Sequence, residues 1–138
     1  MDLNYYQTLI AVAADCPVRR SVVPEARGAK QTVAALQYQM LADHPYVHTQ
    51  EDVLFQTWLQ RHPLGEQSTA EIARLRAEFF AKPQPCLRSS PLAKKYGWGL
   101  VSDPAGRVAL CPMESAEYQT WLTGAKGPVV KAMRSRRA

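Results

Sequence analysis

The sequence predicts an α+β fold, a small antiparallel sheet with three or four helices packed against it. Three observations carry this. An apolar run, Tyr5 to Ala14, lacks the charges of a helix surface. Three stretches with helical apolar spacing follow, two of them opened by capping boxes. Two further short apolar runs flank the turn Asp103-Pro104-Ala105-Gly106.

Taken in order, Tyr5–Ala14 reads as a buried strand, with a helix as the alternative for so apolar a run; Asp15-Cys16-Pro17 closes it, because proline restricts the residue before it and cannot donate to a ladder. Val18 to Lys30 is loop, with a short edge strand at Arg19–Val23. Gln31 to Asp43 is a helix with Thr32 as N-cap and Val33, Leu36 and Met40 on one face, stopped by His44-Pro45. Thr49 opens the second helix, with Asp52 as its capping-box partner. Val53, Leu54, Phe55, Trp58 and Leu59 form its buried face, and His62-Pro63 ends it. Ser68 with Glu71 opens the third, ahead of Ile72, Leu75, Phe79 and Phe80, and Lys82-Pro83 ends it. Ser90-Pro91 starts a single helical turn to Lys95. Trp98–Ser102 and Arg107–Met113 form a hairpin, and Ser115 caps a short helix to Leu122 that stops at Gly124. The chain is expected to be one domain over residues 1–138, with a basic tail at 126–138 that reads as flexible, the part after Gly127-Pro128 leaving strand, helix and disorder open.

Composition narrows the class. The 138 residues are 46% apolar and 21% charged, a globular rather than a disordered balance. A basic region followed by a long apolar run is missing from the start, and no window suits a transmembrane helix. Cys16, Cys86 and Cys111 are odd in number and widely spaced, which argues against a disulfide framework and a structural zinc site. A cytoplasmic protein with reduced thiols, without cofactor or metal and without a membrane partner, is the expectation. The net charge is +5, and residues 83–138 hold nine of the 17 basic but only three of the 12 acidic side chains. That asymmetry favours an anionic partner.

The densest chemistry lies between Cys86 and Leu100. Arg88, Lys94, Lys95, Tyr96 and Trp98 are the candidate ligand-binding residues, since cations beside aromatics suit flat or anionic molecules and Gly97 and Gly99 let a backbone come close. A small anionic ligand ranks above nucleic acid, because no nucleic-acid motif accompanies them. Cys86 is the candidate nucleophile of a small enzyme, with the cations favouring its thiolate and His48 as an imagined base. An interaction or oligomerisation protein is the third reading. Cys16 and Cys111 look like packing residues. His44 and His48, with Asp43, Glu51 and Asp52 near, have metal-ligand spacing, but Pro45 between them prevents a shared helical face. Arg134, Arg136 and Arg137 in the tail are available to phosphates or to solvent.

The chain resembles a family of short bacterial proteins known only as a domain of unknown function. The resemblance runs from Tyr5-Tyr-x-Thr-x-Ile10 and Asp15-Cys-Pro17 through Gln37-Tyr-x-Met-Leu41, His44-Pro-Tyr46 and Thr49-x-Glu-Asp-Val-Leu-Phe55. It continues with Phe79-Phe80, Gln84-Pro-Cys-Leu-Arg-Ser-Ser-Pro-Leu92, Tyr96-Gly-Trp-Gly99, Gly106-Arg-Val-Ala-Leu110, Glu114-Ser-x-Glu-Tyr118 and Met133-Arg-Ser-x-Arg137. The family pattern commonly has a His two residues after the second motif glycine; Val101 stands there, which counts against a general catalytic histidine at that position. The resemblance implies no activity.

Overall fold

The computed structural model describes residues 3–25, 31–62 and 65–135. Its elements are β1 (Thr8–Ala11), α1 (Val33–Asp43), α2 (Gln50–Arg61), α3 (Thr69–Ala81), a 3₁₀ turn (Leu87–Ser89), α4 (Pro91–Lys95), β2 (Trp98–Ser102), β3 (Val108–Pro112), α5 (Ala116–Leu122) and β4 (Val129–Lys131). The class is α+β, with five α-helices among the described residues and four strands in the order β3-β2-β1-β4.

The sheet is mixed rather than antiparallel. The expected strands pair antiparallel, β1 with β2 (Leu9 opposite Val101) and β2 with β3 (Leu100 opposite Leu110). From β3 the chain crosses over through α5 and re-enters beside β1, so β4 runs parallel to β1, with Leu9 opposite Val129. Part of the expected tail is thus the sheet's fourth strand. Arg136 and Arg137 lie outside the described residues, as do 26–30 and Pro63.

β1 is shorter than its apolar run: Gln7, at φ +46, breaks the pleat before Thr8, and beyond Ala11 the Ala13 N–H donates to the Ala93 carbonyl rather than to a strand. The Arg19–Val23 segment forms no strand. Single bonds tie it down instead: Val22 N–H donates to the Tyr96 carbonyl, and the Ser21 N–H and hydroxyl donate to Glu114. Helix starts follow their caps. Thr32 accepts from the Ala35 N–H, and capping boxes form at Thr49/Asp52 and Ser68/Glu71. Ser90 and Ser115 cap α4 and α5.

Alternation along β1 builds two cores. Ile10, Leu100 and Val108 face Leu41, Val53, Leu87 and Leu92 on one side of the sheet, while Leu9, Val101 and Cys111 meet Tyr118 and Trp121 of α5 on the other. α2 buries Val53 and Phe55, and leaves Leu54, Trp58 and Leu59 half-buried. α3 buries none of its residues. It leans on α2 through Phe79, whose ring lies 5.8 Å from Phe55 and 5.6 Å from Trp58, and through the 2.9 Å ion pair of Arg76 with Asp52. No described helix is long and apolar enough to cross a membrane.

Candidate functional site

Two buried polar clamps fix the chain between α3 and α4. The Gln50 side chain reaches the Leu3 carbonyl with its amide N–H and accepts the Leu87 N–H at 2.8 Å through Oε1. The Ser90 hydroxyl donates to Gln37 Oε1 at 2.6 Å while accepting the Leu92 N–H. Gln50, Gln37 and Ser90 are all buried, so each bond replaces one that water would otherwise make. At the other end, Gln84 Nε2 donates to the Phe79 carbonyl at 2.8 Å. Residues 84–91 are therefore laid rigidly across α1 and α2.

Between that segment and the two helices lies a pocket of about 230 Å³. Val33, Leu54, Trp58, Phe79 and Pro85 give it apolar walls, and Arg61, His62, Gln84, Cys86 and Ser89 bring polar groups to it. The indole of Trp58 stacks on His62 with centroids 4.9 Å apart at 21°. His62 Nδ1 lies 2.8 Å from the Trp58 carbonyl. A carbonyl only accepts, so Nδ1 carries the proton there and a neutral ring has Nε2 as its acceptor.

Cys86 is half-buried, with Sγ 3.8 Å from the Tyr5 hydroxyl. Burial and the neighbouring Cys86 push the Tyr5 phenol above its ordinary range, while Arg88 pulls the other way. Cys86, Tyr5 and Arg88 thus form one cluster. His48 is not part of it; its ring stands edge-on to His44 at 5.7 Å, over a separate pocket shared with Asp43 and Met40. No group of three or more metal-ligating side chains occurs among the described residues.

The other sequence candidates have structural partners. Arg88 Nε donates to the Lys131 carbonyl at 2.7 Å, and the Arg88 carbonyl accepts the Met133 N–H at 2.8 Å. Trp98 Nε1 donates to the Val22 carbonyl at 2.8 Å, and its ring lies 5.2 Å from Tyr38. Tyr96 ends α4 and takes the Val22 N–H on its carbonyl. Lys94 and Lys95 occupy the last turn of α4, where cations suit the helix dipole; Lys94 is half-buried and Lys95 exposed. The motif glycines serve close approach within the protein. A Cβ on Gly97, at φ +77, would stand 2.9 Å from the Arg20 carbonyl oxygen and from Met113 Sδ, and one on Gly99 would stand 2.9 Å from the Tyr118 ring. Arg88, Lys94, Lys95, Tyr96 and Trp98 do not line the Cys86 pocket.

The remaining cysteines differ. Cys16 is half-buried, and Cys111 is buried with its thiol pushed up to about 11 by burial, against a lowering contribution from the Ser115 hydroxyl. All three are free. Sequence reading missed Trp58, Arg61, His62, Phe79 and Gln84 as pocket residues. The signal in the sequence is Trp58 and His62 one helical turn apart at the end of α2, where they also serve as packing and as a helix stop.

A family model, described as a family of unknown function (DUF6157), matches residues 1–138. No curated protein and no solved structure matches the chain.

Proposed function

The chain belongs to this family, DUF6157, whose description assigns no activity, and we propose from the chain's own residues that it is a binding module for a small, flat, anionic ligand. The ligand sits between α1, α2 and residues 84–91. The observation that carries this reading is the pocket's division of labour. Trp58, Phe79 and Leu54 offer apolar and aromatic surface, while Arg61 and His62 bring a guanidinium and an imidazole to the same space. Few polar groups set in a mostly apolar concavity is the usual construction of a small-molecule site. The planar guanidinium of Arg61 suits a carboxylate or phosphate. The free thiols support a reducing, cytoplasmic setting for this activity.

Calorimetric titration with 2-naphthoate, 2-naphthylmethylamine and 2-naphthylmethanol tests the reading. The acid is expected to bind best, and Arg61→Ala to weaken it by about tenfold, bringing it level with the alcohol. Trp58→Ala should weaken all three. Absence of binding by the acid, or equal binding of acid and amine, overturns it.

A second reading, thiol chemistry at Cys86, rests on one observation. Cys86 shares the pocket with His62, and the Trp58 carbonyl leaves His62 Nε2 as the available base. Its test is the rate of Cys86 alkylation by iodoacetamide in His62→Ala against the wild type. A histidine-assisted thiol reacts several times more slowly in the variant; an unchanged rate removes this reading.

A further inference from the structure

Another cavity lies on the α5 side of the sheet, away from the helices that form the Cys86 pocket. It measures about 480 Å³ and is lined by Gln7, Tyr46, Asp103, Glu117, Trp121 and Lys126 among others. Two features set it apart. Gln7 at φ +46 and Tyr46 at φ +58 are the non-glycine residues with left-handed backbone among the described residues, and both line this cavity. Trp121, whose buried Nε1 has no hydrogen-bond partner among the described residues, lines it too. Left-handed backbone favours glycine, so a tyrosine and a glutamine held there present side chains that a glycine would not supply. The fold holds both firmly: Gln7 N–H donates to the Asp103 carbonyl and Tyr46 N–H to the Val108 carbonyl, each at 3.0 Å.

The charges divide by role. Asp103 Oδ1 accepts the Ala105 and Arg107 N–H groups at 2.9 and 2.8 Å, so its carboxylate shapes the β2–β3 turn. Glu117 and Lys126 then supply opposite charges to the cavity. Gln7 Nε2 donates to the Lys126 carbonyl at 3.0 Å, which ties the backbone of the lysine to the cavity wall. Tyr46 adds an aromatic face that attracts a cation, in a cavity that it shares with Glu117.

We propose that this cavity binds a small zwitterion of the amino-acid type, its ammonium taken by Glu117 and the Tyr46 ring and its carboxylate by Lys126. Val101 and Trp121, both buried, form the floor of the cavity. The site is independent of the pocket around Cys86, so either stands if the other falls.

Calorimetry at low salt with norleucine, pentylamine and hexanoate is the test; these share one aliphatic chain and differ in charge. Norleucine is expected to bind, with each singly charged analogue weaker by about tenfold. Glu117→Gln should weaken norleucine and pentylamine and spare hexanoate, while Lys126→Met should weaken norleucine and hexanoate and spare pentylamine. Tyr46→Gly, which relieves the left-handed strain, should keep the thermal midpoint or raise it while reducing norleucine binding. No norleucine binding to the wild type, equal binding of all three compounds, or indifference to both charge substitutions overturns the proposal.

Discussion

Arg88 is joined to the end of β4 and to the residues after it: its Nε donates to the Lys131 carbonyl at 2.7 Å, and its own carbonyl accepts the Met133 N–H at 2.8 Å. Lys131 lies in the outer strand of the sheet, so the arginine occupies part of an edge that would otherwise be open to another chain. A residue whose setting in sequence suggests ligand binding thus acts as a fastener between the 3₁₀ turn and the sheet. Arg88→Ala should cost about 1–2 kcal/mol of stability, read as a lower denaturant midpoint. Lys95→Ala, at an exposed position, should stay within about 0.5 kcal/mol of the wild type. Equal effects of the two would deny Arg88 this role.

Two glycines with left-handed backbone, Gly97 before β2 and Gly124 after α5, separate steric from conformational demands. Gly97→Ala meets both, with φ +77 and a Cβ 2.9 Å from the Arg20 carbonyl oxygen, and should cost about 2–4 kcal/mol. Gly124→Ala, at φ +82 with open space around it, should cost about 1 kcal/mol. Urea unfolding of the two variants, compared side by side, measures the difference.

Asp52 ties two helices. Burial acts to raise its pKa, but the Thr49 N–H and hydroxyl and the Arg76 guanidinium outweigh it and hold the carboxyl below its ordinary range. A folded-state pKa lowered in this way gives stability that is present above the unfolded pKa and lost as pH falls through the folded value. Asp52→Ala should cost about 1–2 kcal/mol at neutral pH through the lost capping box and ion pair. That cost should shrink steadily as the pH is lowered below about 4. A cost independent of pH would show that the carboxylate's charge does not matter.

The thiols should react in a fixed order. Cys86 and Cys16 are half-buried, whereas Cys111 is buried and its thiol is pushed up to about 11, so it stays protonated at moderately alkaline pH. Iodoacetamide at about pH 8 should label the first two in the native protein and reach Cys111 only after unfolding. The raised pKa also means that stability from the protonated Cys111 is complete below the unfolded thiol's pKa and fades as pH rises toward 11. Peptide mapping of labelled protein checks the order.

The helices were legible because their starts are written locally: Thr32, Thr49, Ser68, Ser90 and Ser115 cap the helices that follow them. The hairpin was legible for the same reason. β4 was not, because three residues carry little pattern and its partner β1 lies over a hundred positions away. The candidate site was harder still. The cations and aromatics after Cys86 announce polar chemistry, but whether a guanidinium meets a ligand or the Lys131 carbonyl is decided by tertiary placement. His62 shows the converse, a residue that ends a helix and also stands in the pocket beside Cys86.

Cys86 offers the most direct test of the binding reading, since it lines the pocket assigned to the ligand. The rate of Cys86 alkylation, followed by mass spectrometry with Cys16 as the internal reference, should fall severalfold in saturating 2-naphthoate while the Cys16 rate stays constant. Equal rates at Cys86 with and without the acid would contradict the assignment of this pocket.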